Sequence, residues 1–325
     1  MKTGRLLIGL LLAAVGSSGW AQGWAPQKNV EIVVGSAPGG SNDKTARQVE
    51  KILTDKKLVT SSLTVVNKPG GGNTIAFNYV NQHAGDAHYL MIGTTALLSS
   101  HIMGTSKLSY HDFTPIASLF NDYVVFAVNA NSPLKTGKEL AEQLRKDPKS
   151  ISIGFATTVG SHNHIAAGLL MRAMGGNPRD LKVIAYKGSA DAITNLLGGH
   201  IDLVTTAAGN VSAHVAAGKL RVVGVSANQR FPGALANIPT WKEQGFDLVY
   251  GGWRAIMGPK GLTPAQTAYW ENVLRKATEV PEWKTDLERN YWSDDFVPGA
   301  QFARDLDKDY AAMKAVLTEL GLAKN

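Results

Sequence analysis

Residues 30–34, Val-Glu-Ile-Val-Val, are nearly all apolar and β-branched, and they predict a short buried strand. The chain then turns small and polar through Gly35-Ser-Ala-Pro-Gly-Gly40-Ser-Asn-Asp43. Ala46, Val49, Ile52 and Leu53 follow at helical spacing, with Asn42 or Asp43 placed to cap the helix. The same strand, small-residue loop and helix recur. Leu63–Asn67 predicts a second strand that ends in Pro69-Gly-Gly-Gly-Asn73, with a helix over 74–83. Tyr89–Gly93 predicts a third, running into Thr94-Thr95. Residues 117–129 form a longer β-prone run, and a helix is expected over 132–147.

A second series begins near Ile151. Strands are expected over 151–156, 182–186, 201–205 and 220–226. The first of these leads through Thr157-Thr158-Val159-Gly160-Ser161 into a helix reaching Met174. The second leads through Lys187-Gly188-Ser189 into a helix with Ile193, Leu196 and Leu197 on one face, stopped by Gly198-Gly199. Residues 250–257 are apolar and β-prone around Trp253-Arg254, and 264–277 and 299–320 read as helices. Alternating strands and helices predict an α/β fold with mainly parallel sheets. Loops at the carboxyl ends of such strands are where ligands bind. Two series of them predict two lobes facing across a cleft.

Charge and composition narrow the chemistry. Lys2 and Arg5, the apolar run 6–15 and Gly19-Trp20-Ala21 read as a signal peptide over 1–21, cleaved to leave Gln22; the run is too short to span a bilayer. With no cysteine there is no disulfide, thiolate metal site, cysteine nucleophile or lipoprotein anchor. An exported, unanchored chain of this kind belongs in the periplasm. The net charge of +7 falls to +5 without Lys2 and Arg5, since residues 1–21 hold no acid. Lysines and arginines are scattered rather than clustered, which suits an anionic ligand and gives no nucleic-acid signature.

Several sharper chemistries fail on spacing. The loop at Gly35–Gly40 begins like a P-loop, but Ser41-Asn42 stands where the lysine belongs and Pro38 removes one N–H. No G-x-G-x-x-G opens a helix. His162 and His164, two apart, do not share a helix face and so do not chelate one metal; no H-E-x-x-H occurs. Ser161 lies outside any G-x-S-x-G, which leaves no hydrolase triad to point to. What remains is an anion cradle of backbone N–H groups and hydroxyls at five strand ends. Arg254 stands beside it as a candidate carboxylate fork.

Taken in order, Ala37-Pro-Gly-Gly40 with Asp43, Asn67-Lys-Pro-Gly70 with Gly72, and Gly93-Thr94 resemble the substrate-binding proteins of tripartite tricarboxylate transporters, the Bug receptor family. The resemblance continues through Gly160-Ser161, His164, Tyr186-Lys-Gly-Ser-Ala190, Leu196-Leu-Gly-Gly199, Asp202, Ala217–Arg221, Ile238-Pro-Thr240 and Gly258-Pro-Lys-Gly261, and so covers the mature chain. It implies a type II periplasmic-binding-protein fold, two α/β lobes around a ligand cleft, with lobe one over 25–123 plus 251–325 and lobe two over 124–250. It implies a monomer that captures a small organic carboxylate, aliphatic or aromatic, without catalysis, cofactor or metal, and passes it to integral-membrane permease subunits. A hydrolase working in the same cleft and a ligand sensor for a membrane kinase are the alternatives. Ligand contacts carried over are Ala37, Gly39, Gly40, Ser41, Asp43, Gly72, Asn73, Thr94 and Thr95 from lobe one. From lobe two they are Thr157, Ser161, His164, Lys187, Gly188, Ser189 and Ala190. Two positions depart from the family pattern: Thr206 stands where many members place an aspartate, and Arg254 where many have tyrosine. A lost acid and an added cation both favour a ligand with more negative charge.

Overall fold

In the computed structural model, which describes residues 23–39 and 41–324, the first strand β1 spans Val30–Val34 as expected. Val30, Ile32 and Val34 enter one core and Val33 the core on the opposite face. This two-sided burial explains why the run is apolar rather than alternating. The expected signal peptide and Gly40 lie outside the described residues. Strands β2 (Leu63–Asn67), β3 (Tyr89–Thr94), β4 (Phe113–Asn129), β5 (Ser152–Ala156), β6 (Lys182–Tyr186), β7 (Leu203–Ala207), β8 (Leu220–Val225), β9 (Gly251–Pro259) and β10 (Val297–Pro298) follow.

The helices are α1 (Ser41–Asp55), α2 (Thr74–Asn81), α3 (Ala96–Ile102), α4 (Gly137–Lys146), α5 (His162–Ala173), α6 (Ser189–Leu197), α7 (Ala208–Ala216), α8 (Pro264–Glu279), α9 (Pro281–Asn290) and α10 (Gly299–Glu319). The stripe Ala46, Val49, Ile52 and Leu53 of α1 is buried, as its spacing requires. Helix α4 starts five residues later than the polarity pattern suggests. Thr136 accepts the Glu139 N–H and Glu139 reaches back to the Thr136 N–H, a capping box that fixes the start.

The sheet order is β2-β1-β3-β9-β4-β7-β5-β6, with β8 and β10 also paired to β4. The flanks are parallel: β1 with β2 and β3, and β5 with β6 and β7. The centre is not, which corrects the expectation of mainly parallel sheets. β9 runs antiparallel to both β3 and β4, and β4 runs antiparallel to β7, β8 and β10. The cause is the length of β4. Its residues Phe113–Tyr123 pair with β9, and Val124–Asn129 pair with β7 and β8, so one strand serves both lobes. Register shifts near Pro115–Ala117 and Ser118–Phe120 bend it on the way.

Helices cover both faces of each half of the sheet. Helices α1, α8 and α9 close one core around Trp270 and Trp283, and α2, α3 and α10 close the opposite one around Phe77, Trp253 and Phe302. Around the second half, α4 and α5 pack with Trp241, and α6 and α7 with Ile193 and Val211. Each fully buried aromatic contributes about 1.5–3 kcal/mol of transfer free energy, and these cores hold the parallel strand ends in place.

Candidate functional site

The carboxyl ends of β1, β2, β3, β5 and β6 border one cavity of about 470 Å³. Ser36, Ala37 and Asn42 come from the β1 side, Pro69, Gly70, Gly72 and Asn73 from the loop after β2, and Thr94 and Thr95 from the end of β3. Thr157, Thr158 and Gly160–Asn163 face them from the β5 side, with Lys187 after β6 and Arg254 on β9. The loops are pressed close. A Cβ on Gly35 would sit 2.5 Å from Asn73 Oδ1, and one on Gly160 would sit 2.3 Å from Met103 Sδ across the cavity. Asn73 and Thr157 are held at φ 77°, a left-handed conformation unusual for residues with a side chain. Strain of this kind, about 1–3 kcal/mol each, persists where the surroundings over-determine the loop.

Three helices open onto this space without a side-chain cap: α2 at Asn73, α3 at Thr95 and α5 at Ser161. Their first N–H groups are left for a ligand or water. Nine buried side-chain polar atoms among the described residues lack a hydrogen-bond partner. Five of them are on four residues that line this cavity: Ser36 Oγ, both ring nitrogens of His162, Asn163 Oδ1 and Arg254 Nε. Buried polar atoms are otherwise paired almost without exception, so this concentration marks the site.

The electrostatics are one-sided. Lys187 and Arg254 line the cavity, and among the described residues no aspartate or glutamate does. Arg254 is nearly buried. Its Nη1 donates to the carbonyls of Gly252 (3.1 Å) and Trp253 (3.3 Å), and Nη2 lies 3.5 Å from Asp122 Oδ2 behind the cavity wall. Burial pushes the Asp122 carboxyl up to about 6, opposed by the Arg254 charge and the Trp292 side chain. His162 is pushed down to about 3, first by burial and then by Arg254, with the Asp122 backbone acting the other way. It is therefore neutral at pH 7 and adds a donor and an acceptor rather than charge. Among the described residues no group of three histidines, aspartates or glutamates is arranged to hold a metal ion.

Of the expected site residues, Ala37, Gly72, Asn73, Thr94, Thr95, Thr157, Ser161, Lys187 and Arg254 line the cavity. Eight others do not. Asp43 is a loop staple: it accepts the Gly39 N–H (2.8 Å), Arg47 Nε (3.0 Å) and Asn67 Nδ2 (2.9 Å). Burial raises its pKa, but those three contacts together hold it below the usual value. Gly39 and Ser41 belong to the same turn and helix start, away from the wall. His164 lies under the β5 loop, where Nδ1 accepts the Gly160 N–H (2.9 Å) and the ring stacks on Phe155. Burial pushes it down to about 4. Gly188 caps α6 from outside the cavity wall, and Ser189 and Ala190 border a smaller separate cavity with Asn210 and His214. Thr206 is buried, its hydroxyl accepting Asn210 Nδ2 (3.0 Å).

Ser36, Asn163, Ser99 and Ser100 line the cavity without having been legible as site residues. Trp253 and Tyr250 face a different cavity of about 500 Å³, beside α5 and α10. For Trp253, next to Arg254 on β9, alternation carried the signal, because adjacent strand residues point to opposite faces.

A family model described as tripartite tricarboxylate transporter family receptor matches residues 45–322. A curated relative from Bordetella bronchiseptica is 29% identical over 313 residues, 95% of this chain and 88% of its own length. A solute-binding protein from Polaromonas, solved without ligand, superimposes with a TM-score of 0.76 at 28% identity, covering 91% of this chain and 99% of that one. Two more distant structures share the fold. MatC from Rhodopseudomonas palustris with bound malate gives a TM-score of 0.75 at 22% identity, covering 90% of this chain and 99% of its own. A second R. palustris protein, solved with adipate, gives 0.80 at 21%, covering 92% and 99%.

Proposed function

Because the chain belongs to the tripartite tricarboxylate transporter receptor family, we propose that it is a periplasmic receptor that closes its two lobes on a small aliphatic di- or tricarboxylate. The observation that carries this reading is the cavity wall: two cations, many hydroxyl and N–H donors, and no carboxylate among the described residues. Lys187 and Arg254 come from opposite sides of the cleft, an arrangement suited to a ligand charged at both ends. His162 supplies the one aromatic ring that the described residues bring to the wall, and so an aliphatic ligand fits better than an aromatic one. The malate and adipate of the two Rhodopseudomonas structures are ligands of the same class.

The family is one of solute-binding receptors, and among the described residues no helix is long and apolar enough to cross a membrane. The fuller reading includes export with cleavage near Ala21, lobes over 25–123 plus 251–325 and over 124–250, and delivery to the membrane permease subunits. In it, β4 and β9 are the hinge. Charge-assisted hydrogen bonds contribute about 1.5–3 kcal/mol each. A few of them, less the cost of ordering and closure, reach about −8 kcal/mol, which is micromolar binding.

The test is a thermal-shift and calorimetry panel of succinate, malate, adipate, citrate, glutamate and terephthalate. An aliphatic di- or tricarboxylate is expected to bind best and to be recovered unchanged. A panel without a binder, or a bound carboxylate that is consumed, overturns the proposal.

A further inference from the structure

Asp122 does not line the cavity, yet it is built into the back of the cleft. It is 3% exposed and lies on β4 opposite Gly252, where that strand is about to leave β9. Its Oδ2 is 3.5 Å from Arg254 Nη2, while Arg254 Nε has no partner and the guanidinium borders the cavity. The cation thus stands between a buried carboxylate behind it and open space in front. Two backbone carbonyls hold its Nη1 and fix its direction.

We infer that Asp122 is the positioning residue for Arg254, and that it takes up one proton from solvent when a ligand carboxylate seats against that arginine. The inference rests on the carboxylate-receptor reading. Its physical basis is competition. Two carboxylates around one guanidinium in a dry site do not both remain ionised, and the one that cannot leave is the one that protonates.

The neighbours of Asp122 leave it no second cation. Arg254 faces it from β9; His162 faces it from α5 and is neutral; Trp292 approaches after α9. Asp295, an acid beside the same stretch of β4, is occupied by Asn121 Nδ2 and the Ser293 hydroxyl. Burial already brings Asp122 to about 6, so the loss of Arg254's undivided field carries it past neutrality. The sign follows: the bound state holds more protons than the free state, and affinity falls as pH rises above about 6.

The experiment is calorimetric titration of the full mature chain with malate and with adipate, in buffers of different ionisation enthalpy. Above pH 6.5 both ligands are fully ionised. Close to one proton is expected to be taken up per ligand, with affinity dropping by up to about tenfold per pH unit from pH 6.5 to 8. Asp122→Asn should bind with a flat pH profile and no uptake. Binding by the unmodified chain without proton uptake overturns the inference alone, and needs no variant. Uptake that persists in Asp122→Asn overturns the assignment to Asp122. A variant with lowered Tm and an unchanged pH profile reduces the pair to a structural fastening and overturns it too. If neither ligand binds, nor any other carboxylate, the receptor reading fails and takes this one with it.

Discussion

Replacing Arg254 with alanine separates what this side chain does for the ligand from what it does for the fold. Toward a carboxylate, the lost charge-assisted bond is worth about 1.5–3 kcal/mol, or a roughly 10- to 150-fold weaker Kd. Toward the fold, the variant loses the bonds to the Gly252 and Trp253 carbonyls and leaves Asp122 without its cation. Stranding one member of a buried pair ordinarily costs about 3–5 kcal/mol. Asp122 has an escape from that penalty, since burial already holds it near 6. At pH 7 it is one unit from neutralising, so losing Arg254 adds at most about 1.4 kcal/mol through this route. With about 1 kcal/mol for the lost hydrogen bonds, the expected loss of stability is about 2–3 kcal/mol. For a chain of this size that is on the order of 3–5 °C in Tm. At pH 5 Asp122 is neutral with or without Arg254, so the variant's deficit should shrink there by about 1 kcal/mol. Melting curves at pH 7 and 5, with calorimetric titration of a binding dicarboxylate, read both parts. An unchanged Kd would make Arg254 structural. A deficit that grows at pH 5 would refute the neutralisation argument.

Four further outcomes are expected. Lys187→Met should weaken dicarboxylate binding by up to about tenfold, an effect that fades in high salt because Lys187 is exposed; equal loss at all salt concentrations would contradict this. His164, neutral in the fold with a pKa of about 4, contributes stability above its unfolded value of 6.5 that is lost as pH falls toward 4. That loss is about 3 kcal/mol, and urea melts of His164→Gln should show lower stability at pH 7 with a shallower decline on acidification. Gly299→Ala puts a Cβ 2.5 Å from the Pro115 carbonyl oxygen at the start of α10, and should destabilise by about 1–3 kcal/mol while leaving Kd unaltered. Lys57 occupies a left-handed position (φ 53°) just past α1, with the Leu58 N–H bonded to the Leu53 carbonyl. Lys57→Gly should therefore raise stability by about 0.5–1 kcal/mol, and a lower Tm would contradict the strain argument.

Strands β1, β2 and β6 match the expected spans because each is a short apolar or β-branched run between abrupt turn residues. Helices α3, α7 and α9 were not legible. In α3, Leu97, Leu98, Ser99, Ser100 and Ile102 are all buried, so there is no polar face to make a period. In α7 alanine and glycine supply too little contrast, and α9 offers two buried positions, Trp283 and Leu287. The loops of the site could be read from strand ends, but the direction of individual side chains could not. His162 faces Arg254 and Gly252 only because Gly252 lacks a Cβ, which would lie 2.8 Å from the imidazole. That is a tertiary fact, set by a residue 90 positions away.

The proposed preference for a multiply charged ligand rests on other residues than the family pattern pointed to. By the family pattern, a missing acid at Thr206 and an added cation at Arg254 both favoured extra negative charge. Thr206 does not reach the cavity: it is 1% exposed and its hydroxyl is engaged by Asn210. An acid lost there does not act on a ligand by direct contact. The two cations that line the cavity are Arg254 and Lys187, and they differ in kind. Arg254 is buried, directed by two carbonyls and weakly shielded by solvent, so it discriminates in free energy; Lys187 is exposed and acts through a screened field. Affinity for the first carboxylate should accordingly follow Arg254 and be insensitive to salt, while the preference for a second carboxylate and the rate of capture follow Lys187 and weaken as salt rises.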